Sequence, residues 1–179
     1  MSLSLAQPIR QDAAPGREWG RVIVGVDDSP GGVAALRWAV GLARSQETQV
    51  VAVRAWALGL PEHGGRRHRR DGHHHVILVF RGAERREAAA QVVRRTFRAA
   101  TGGVPRDLAV RIETPEGDPG AVLTDLATKP GDLLVVGSRG GHALKRLMHG
   151  SVSRYCSKRS GCPVVVIRPG RQPGAGDHQ

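Results

Sequence analysis

Five short runs with continuous apolar cores alternate along the chain with longer segments of helical periodicity. That alternation restricts the fold more than any other feature of the sequence. The runs are RVIVGVDD (21–28), TQVVAVRAW (48–56), DLAVRIET (107–114), DLLVVG (132–137) and CPVVVIRP (162–169). Such strands have no polar face to turn to water, so they must be covered on both sides, as strands of a parallel sheet are. Between them, apolar residues recur every three or four positions. Val33, Leu36, Val40 and Ala43 do so up to about Ser45, and Ala89, Val92, Val93, Phe97 and Ala100 do so within 83–101. Val122, Leu123 and Leu126 belong to a third helix through Thr128, and residues 151–159 form a fourth, closed by Gly161. Ser29 with Pro30, and Asp118 with Pro119, read as a cap followed by a first-turn proline. The pattern predicts an α/β fold: an open five-stranded parallel sheet, Rossmann-like, in strand order 3-2-1-4-5 with helices on both faces.

A chain of 179 residues with 40% apolar content suits one domain. That domain is expected over 19–169, with disordered extensions at 1–18 and 170–179. Residues 61–82 interrupt the alternation with a basic, His-rich insert. Its apolar burst, Val76 to Phe80, reads as an extra strand, a lid segment or the start of the next helix, the first two being favoured equally. No apolar run approaches the roughly 20 residues a membrane span needs, and the first 18 residues lack the apolar stretch of a signal peptide. Cys156 and Cys162 have neither metal nor redox spacing and read as small apolar fillers. A cytoplasmic protein with reduced thiols and no membrane partner is expected. Trp19, Trp38 and Trp56 read as packing residues, with Trp56 near enough to the second strand's end to border a ligand.

The formal net charge is +11, and residues 61–106 hold eleven arginines against four acids. A block of like charge reads first as a solvated face. Aromatic residues are only 3% of the chain, which disfavours nucleic acid as a partner, single strands above all. Duplex contact through RRHRR (66–70) stays as an alternative. Five of the eight histidines fall between His63 and His75, but they lack the spaced, oriented ligands of a structural zinc site.

The remaining conspicuous stretch is VVGSRGGHALKRLMHGSVS, residues 135–153. In an open parallel sheet, ligands bind beyond the strands' carboxyl ends where the winding reverses. In this strand order the reversal falls between the first and fourth strands, whose ends are Asp27 and Gly137. Gly137 and Gly140 would admit an anion close to the backbone, and Gly150 and Ser151 lead into the last helix. The amides of Val152 and Ser153 then meet the anion with the positive end of the helix dipole. Ser138, Ser151 and Ser153 add hydroxyls, and Arg139 and Lys145 add charge. Asp27 could instead simply cap the first helix with Asp28 and Ser29.

The spacing Gly, two residues, Gly, nine residues, Gly, Ser resembles the nucleotide-binding motif of the universal stress protein family. VIVGVDDS, VVAVRAW and SVSRYCSKRSGCPVVVIRP resemble that family's first strand, second strand, and last helix and strand, so the likeness covers about 20–60 and 83–169. The resemblance implies an ATP-binding, dimerising α/β protein of stress response or signalling, with at most slow ATP hydrolysis and no catalytic residues. It implies an adenine site at Gly25, Val26 and Ala55, with Asp27 at the ribose and at any Mg²⁺. It implies a phosphate site at Gly137, Ser138, Arg139, Gly140, Gly150, Ser151, Val152 and Ser153. The insert and the small Gly25 depart from the family pattern. An adenylating ligase of related architecture would need Ser-Gly-Gly-x-Asp-Ser after the first strand, where this chain has Asp27, Asp28, Ser29, Pro30, Gly31 and Gly32. The last strand, apolar on both faces and at the sheet edge, is expected to pair with its copy in a homodimer built on residues 163–168.

Overall fold

The computed structural model describes residues 19–57, 73–138 and 151–169. In chain order the elements are β1 (Arg21–Gly25), α1 (Pro30–Ser45), β2 (Gln49–Val53), α2 (His73–Thr101), β3 (Val110–Glu113), α3 (Pro119–Leu126), β4 (Asp132–Gly137), α4 (Ser151–Arg159) and β5 (Val164–Ile167). The strands form one parallel sheet in the order β3-β2-β1-β4-β5, as the alternation predicts. The residue stretches at 1–18, 58–72 and 170–179, including most of the basic insert and both expected extensions, lie outside the described residues.

Two apolar clusters hold the layers together, and strand alternation sorts the side chains between them. Val22, Val24, Val50, Ala52, Leu133 and Val135 face α1 and α2, where they meet Leu36, Val40, Val93 and Phe97. Ile23, Val51, Val53, Leu134 and Val136 face the other way, toward Leu123 of α3 and Cys156 of α4. Phe97, Ile23, Leu36 and Leu134 are fully buried. Each large aliphatic side chain so buried contributes about 1.5–3 kcal/mol to the fold.

The helix starts follow the expected chemistry. Gly32 N–H donates to Ser29 Oγ at 3.1 Å, with Pro30 in the first turn of α1. Asp118 Oδ1 accepts from the N–H groups of Gly120 and Ala121 at 2.9 and 3.1 Å, with Pro119 following. The second helix decides among the three readings of Val76–Phe80 in favour of the one not preferred. Val76–Phe80 is neither an added strand nor a lid but part of α2, which runs unbroken from His73 to Thr101. Between those residues Gly82 is the one helix-weakening residue, and a lone helical glycine costs only about 1 kcal/mol relative to alanine. Of the tryptophans, Trp19 packs against the first cluster, while Trp38 is exposed on α1 instead of packing. Trp56 Nε1 donates to Thr114 O at 2.7 Å and ties the end of β2 to that of β3.

At the amino ends of β1 and β4, Arg21 and Asp132 are direct register partners. Arg21 Nε and Nη2 donate to the two carboxylate oxygens of Asp132 at 2.8 and 2.7 Å. Asp132 is buried and also accepts from Lys129 N–H at 2.8 Å. The bidentate hydrogen bond to Asp132 raises the pKa of Arg21, which stays protonated.

Candidate functional site

At the opposite, carboxyl end of the sheet a cleft opens between β1, β2 and β4. Gly25, Val26 and Asp27 line it from β1, and Val53, Arg54 and Ala55 line it from β2. Val136 and Gly137 close it from β4, Pro119 and Leu123 from α3, and Val152 and Ser153 from α4. The structure thus brings together Gly25, Val26, Asp27, Ala55, Gly137, Val152 and Ser153 of the residues expected from the sequence. Ser138 follows directly and donates its N–H to Ile167 O at 2.8 Å. Arg139, Gly140, Lys145 and Gly150 lie outside the described residues, and Ser151 opens α4. Trp56 is not among the lining residues described.

Pro119, Leu123, Val53 and Val136 give the cleft an apolar wall that the sequence reading did not assign to it. Leu123 was legible as part of a buried helical stripe. That the same stripe turns toward the strand ends depends on how α3 crosses β1.

Asp27 sits where the chain leaves β1 for α1. Its Oδ1 accepts from Ser29 Oγ at 2.5 Å and from Ser29 N–H at 3.2 Å. Ser29 itself caps the helix, so Asp27 supports the cap from behind instead of forming it. Asp27 Oδ2 has no hydrogen-bond partner among the described residues. The main chain around it is largely committed: Val26 N–H donates to Val53 O at 2.8 Å, and Val26 O accepts from Arg54 Nη1 at 3.4 Å. Thr96 Oγ1 of α2 reaches Asp27 O at 3.3 Å. The N–H and carbonyl of Ala55, by contrast, are unbonded among the described residues.

Two glycines shape the site by close approach. A methyl group on Gly25 would stand 2.9 Å from Leu123 Cδ1, the flexible tip of a cleft-lining side chain. On Gly137 it would stand 2.4 Å from the carbonyl carbon of Gly31, which is backbone. The missing side chain at Gly137 therefore makes room for the first turn of α1, a reason for glycine independent of any anion.

Cys156 lies one layer beneath the cleft in the cluster with Leu123 and Val136 and is a free thiol. Burial pushes its pKa from the usual 9.0 up to about 11. Cys162, also free, is partly buried against the same cluster.

A parallel α/β domain with its cleft at the switch point between β1 and β4 defines the class of protein. The family model for universal stress proteins matches residues 18–168, and the chain belongs to that family. It is similar to the universal stress protein YxiE of Bacillus subtilis, 45% identical over 53 residues that span 29% of this chain and 36% of that one. The stress response protein NhaX of the same organism is 38% identical over 58 residues, 32% of this chain and 35% of its own. The matched stretches thus span about a third of these relatives' length. Among solved structures, universal stress protein UspA from Lactobacillus plantarum superposes with a TM-score of 0.62 at 21% identity, over 85% of this chain and 99% of its own. A universal stress protein crystallised in complex with cAMP matches with a TM-score of 0.50 at 22% identity, over 85% and 98%. At that identity the two structures speak to the fold.

Proposed function

We propose that the cleft binds an adenine nucleotide, ATP with Mg²⁺ in the first place, and that the protein is a stress-response or signalling module whose output is a change of conformation or partner. The observation that carries this reading is the division of the cleft into an apolar wall and a polar rim at the switch point. Pro119, Leu123 and Val136 offer the surface a flat base packs on. The unbonded N–H and carbonyl of Ala55 are a donor and an acceptor, matched in kind to adenine N1 and the N6 amino group. Asp27 Oδ2 is free to accept from a ribose hydroxyl or a metal-bound water. The amino end of α4, with the positive end of its dipole, suits phosphate oxygens. Mg²⁺, when bound, neutralises phosphate charge, and Asp27 is the described carboxylate of the cleft that would hold it. The glycines and hydroxyls of 137–153 complete the cradle in this reading. The cAMP held by the structural relative supports the same ligand class.

The test is titration calorimetry of the full chain with ATP, ADP, cAMP and GTP, with and without Mg²⁺. Adenine nucleotides are expected to bind and GTP more weakly. Asp27→Asn is expected to weaken ATP by about tenfold, or 1.4 kcal/mol, and to abolish any Mg²⁺ dependence. Absence of heat with every adenine nucleotide overturns the proposal.

A further inference from the structure

The face of the sheet away from α3 and α4 carries a different surface. α1 holds Arg37 and Arg44 and no acid, and residues 82–101 of α2 hold five arginines against Glu84 and Glu87. Two of these cations are neutralised, Arg44 by Asp107 at 2.9 Å and Arg94 by Glu87 at 3.0 Å. Arg37 is held differently. Its Nε and Nη2 donate to the carbonyl oxygens of Ala100 and Ala99 at 3.1 and 3.3 Å. That contact fixes the guanidinium at the end of α2 without cancelling its formal charge. Arg95 and Arg98 are exposed one turn apart on α2 and have no carboxylate partner among the described residues. Because Arg37 is anchored to residues 99 and 100, one and two positions past Arg98, its anchor lies within about 3 Å of Arg98 along the helix axis. Three guanidinium groups without a carboxylate partner among the described residues therefore lie along the last two turns of α2.

We infer that this α1–α2 face binds the phosphate backbone of duplex nucleic acid through Arg37, Arg95 and Arg98, without reading bases. A guanidinium fork fits phosphate oxygens in pairs, and an anchored fork loses little side-chain entropy on binding. The scarcity of aromatics that argues against single-strand stacking is no obstacle here, since backbone contact needs charge and not π-faces. An anionic bilayer fits less well. Among the described side chains of α1 and α2, Trp38 is the one large apolar group exposed, too little to seat a helix face in hydrocarbon. The proposal stands apart from the nucleotide cleft, which lies on the α3–α4 side.

The experiment is fluorescence anisotropy of a labelled DNA duplex titrated with the full chain across a series of salt concentrations. Each phosphate contact adds about 0.9 to the slope of log affinity against log salt. Arg37→Gln/Arg95→Gln/Arg98→Gln is expected to lose at least about tenfold in affinity and to flatten the slope by about three contacts' worth. Arg95→Gln/Arg98→Gln leaves the Arg37 anchor intact, and its slope is expected to flatten by about two. Thermal melts confirm that both variants fold. No duplex binding by the wild type, binding to phosphatidylserine vesicles but not to duplex, or a slope unchanged in the variants each overturns the inference.

Discussion

Gly31 and Gly137 lie backbone against backbone: a methyl group on Gly31 would stand 2.3 Å from the carbonyl oxygen of Ser138, and one on Gly137 would stand 2.5 Å from the carbonyl oxygen of Gly31. The first turn of α1 is thereby pressed onto the end of β4. Contacts of this kind cannot be relieved by a rotamer change, because both partners are main chain.

Gly137→Ala is therefore expected to destabilise the fold by about 2 kcal/mol through overpacking, whether or not ligand is present. Urea denaturation of the ligand-free protein measures it. An unchanged midpoint would show that the two elements separate freely.

Gly25→Ala meets a softer obstacle. Leu123 can swing aside, so stability is expected to hold while the cleft narrows, and ATP affinity is expected to fall by about tenfold. Calorimetry beside a thermal melt separates the two effects. A stable variant with wild-type affinity would remove Gly25 from the site.

At the other end of the strands, Arg21→Leu leaves the Asp132 carboxylate buried with its bidentate partner gone. Loss of one member of a buried pair costs about 3–5 kcal/mol, and the solvent reaching Arg21 places the expectation near the lower figure, about 3 kcal/mol. Denaturant unfolding at neutral pH checks it.

The raised pKa of Cys156 makes two expectations. At pH 8 its thiol stays protonated and buried, so iodoacetamide is expected to label Cys162 in the native protein and Cys156 only after unfolding. Peptide mass spectrometry reads this directly. The unfolded chain ionises this thiol near 9.0 and the folded one only near 11. Its contribution to stability is thus fully present below pH 9 and is lost as the pH rises from about 9 to 11.

The proposed homodimer is tested at one backbone group. Leu134 N–H donates to Pro163 O and Ser138 N–H to Ile167 O, so residues 163, 165 and 167 turn their main chain toward β4. Val164 and Val166 therefore present theirs to the open edge, and the Val166 side chain is exposed as well. Val166→Pro removes an outward donor while sparing the β4 ladder, and it is expected to give a folded monomer. Light scattering that finds the wild type monomeric, or this variant still dimeric, moves the interface elsewhere.

The sheet order and the positions of all five strands were legible because each apolar run is bounded by turn formers. The limits of β4 and α4 were readable to the residue. Ends set by tertiary contacts were not. β3 begins at Val110 rather than Asp107, since Asp107 is drawn to the surface by Arg44, which holds its carboxyl below the usual range. β5 begins at Val164, after a proline that has no N–H to give the ladder. α2 was read as starting ten residues late because histidine and arginine obscured its period. In the cleft, Gly25, Val26, Asp27, Ala55 and Gly137 at the strand ends were legible, but their neighbours Val53, Arg54 and Val136 were not, nor were Pro119 and Leu123, which arrive from a helix almost a hundred positions away from β1.

β1 and β4 resemble the two tines of a fork gripped at the handle. The Arg21–Asp132 pair holds their roots in fixed register, and the cleft lies between their tips. The register of the two strands is thus fixed at the end away from the cleft. At the cleft end the same strands touch α1, where Gly31 rests on Gly137, and the sheet edge, through the Ser138–Ile167 hydrogen bond. A visitor to the cleft therefore meets a strand pair tied together at its far end and, beside it, two neighbours in contact with it at this end.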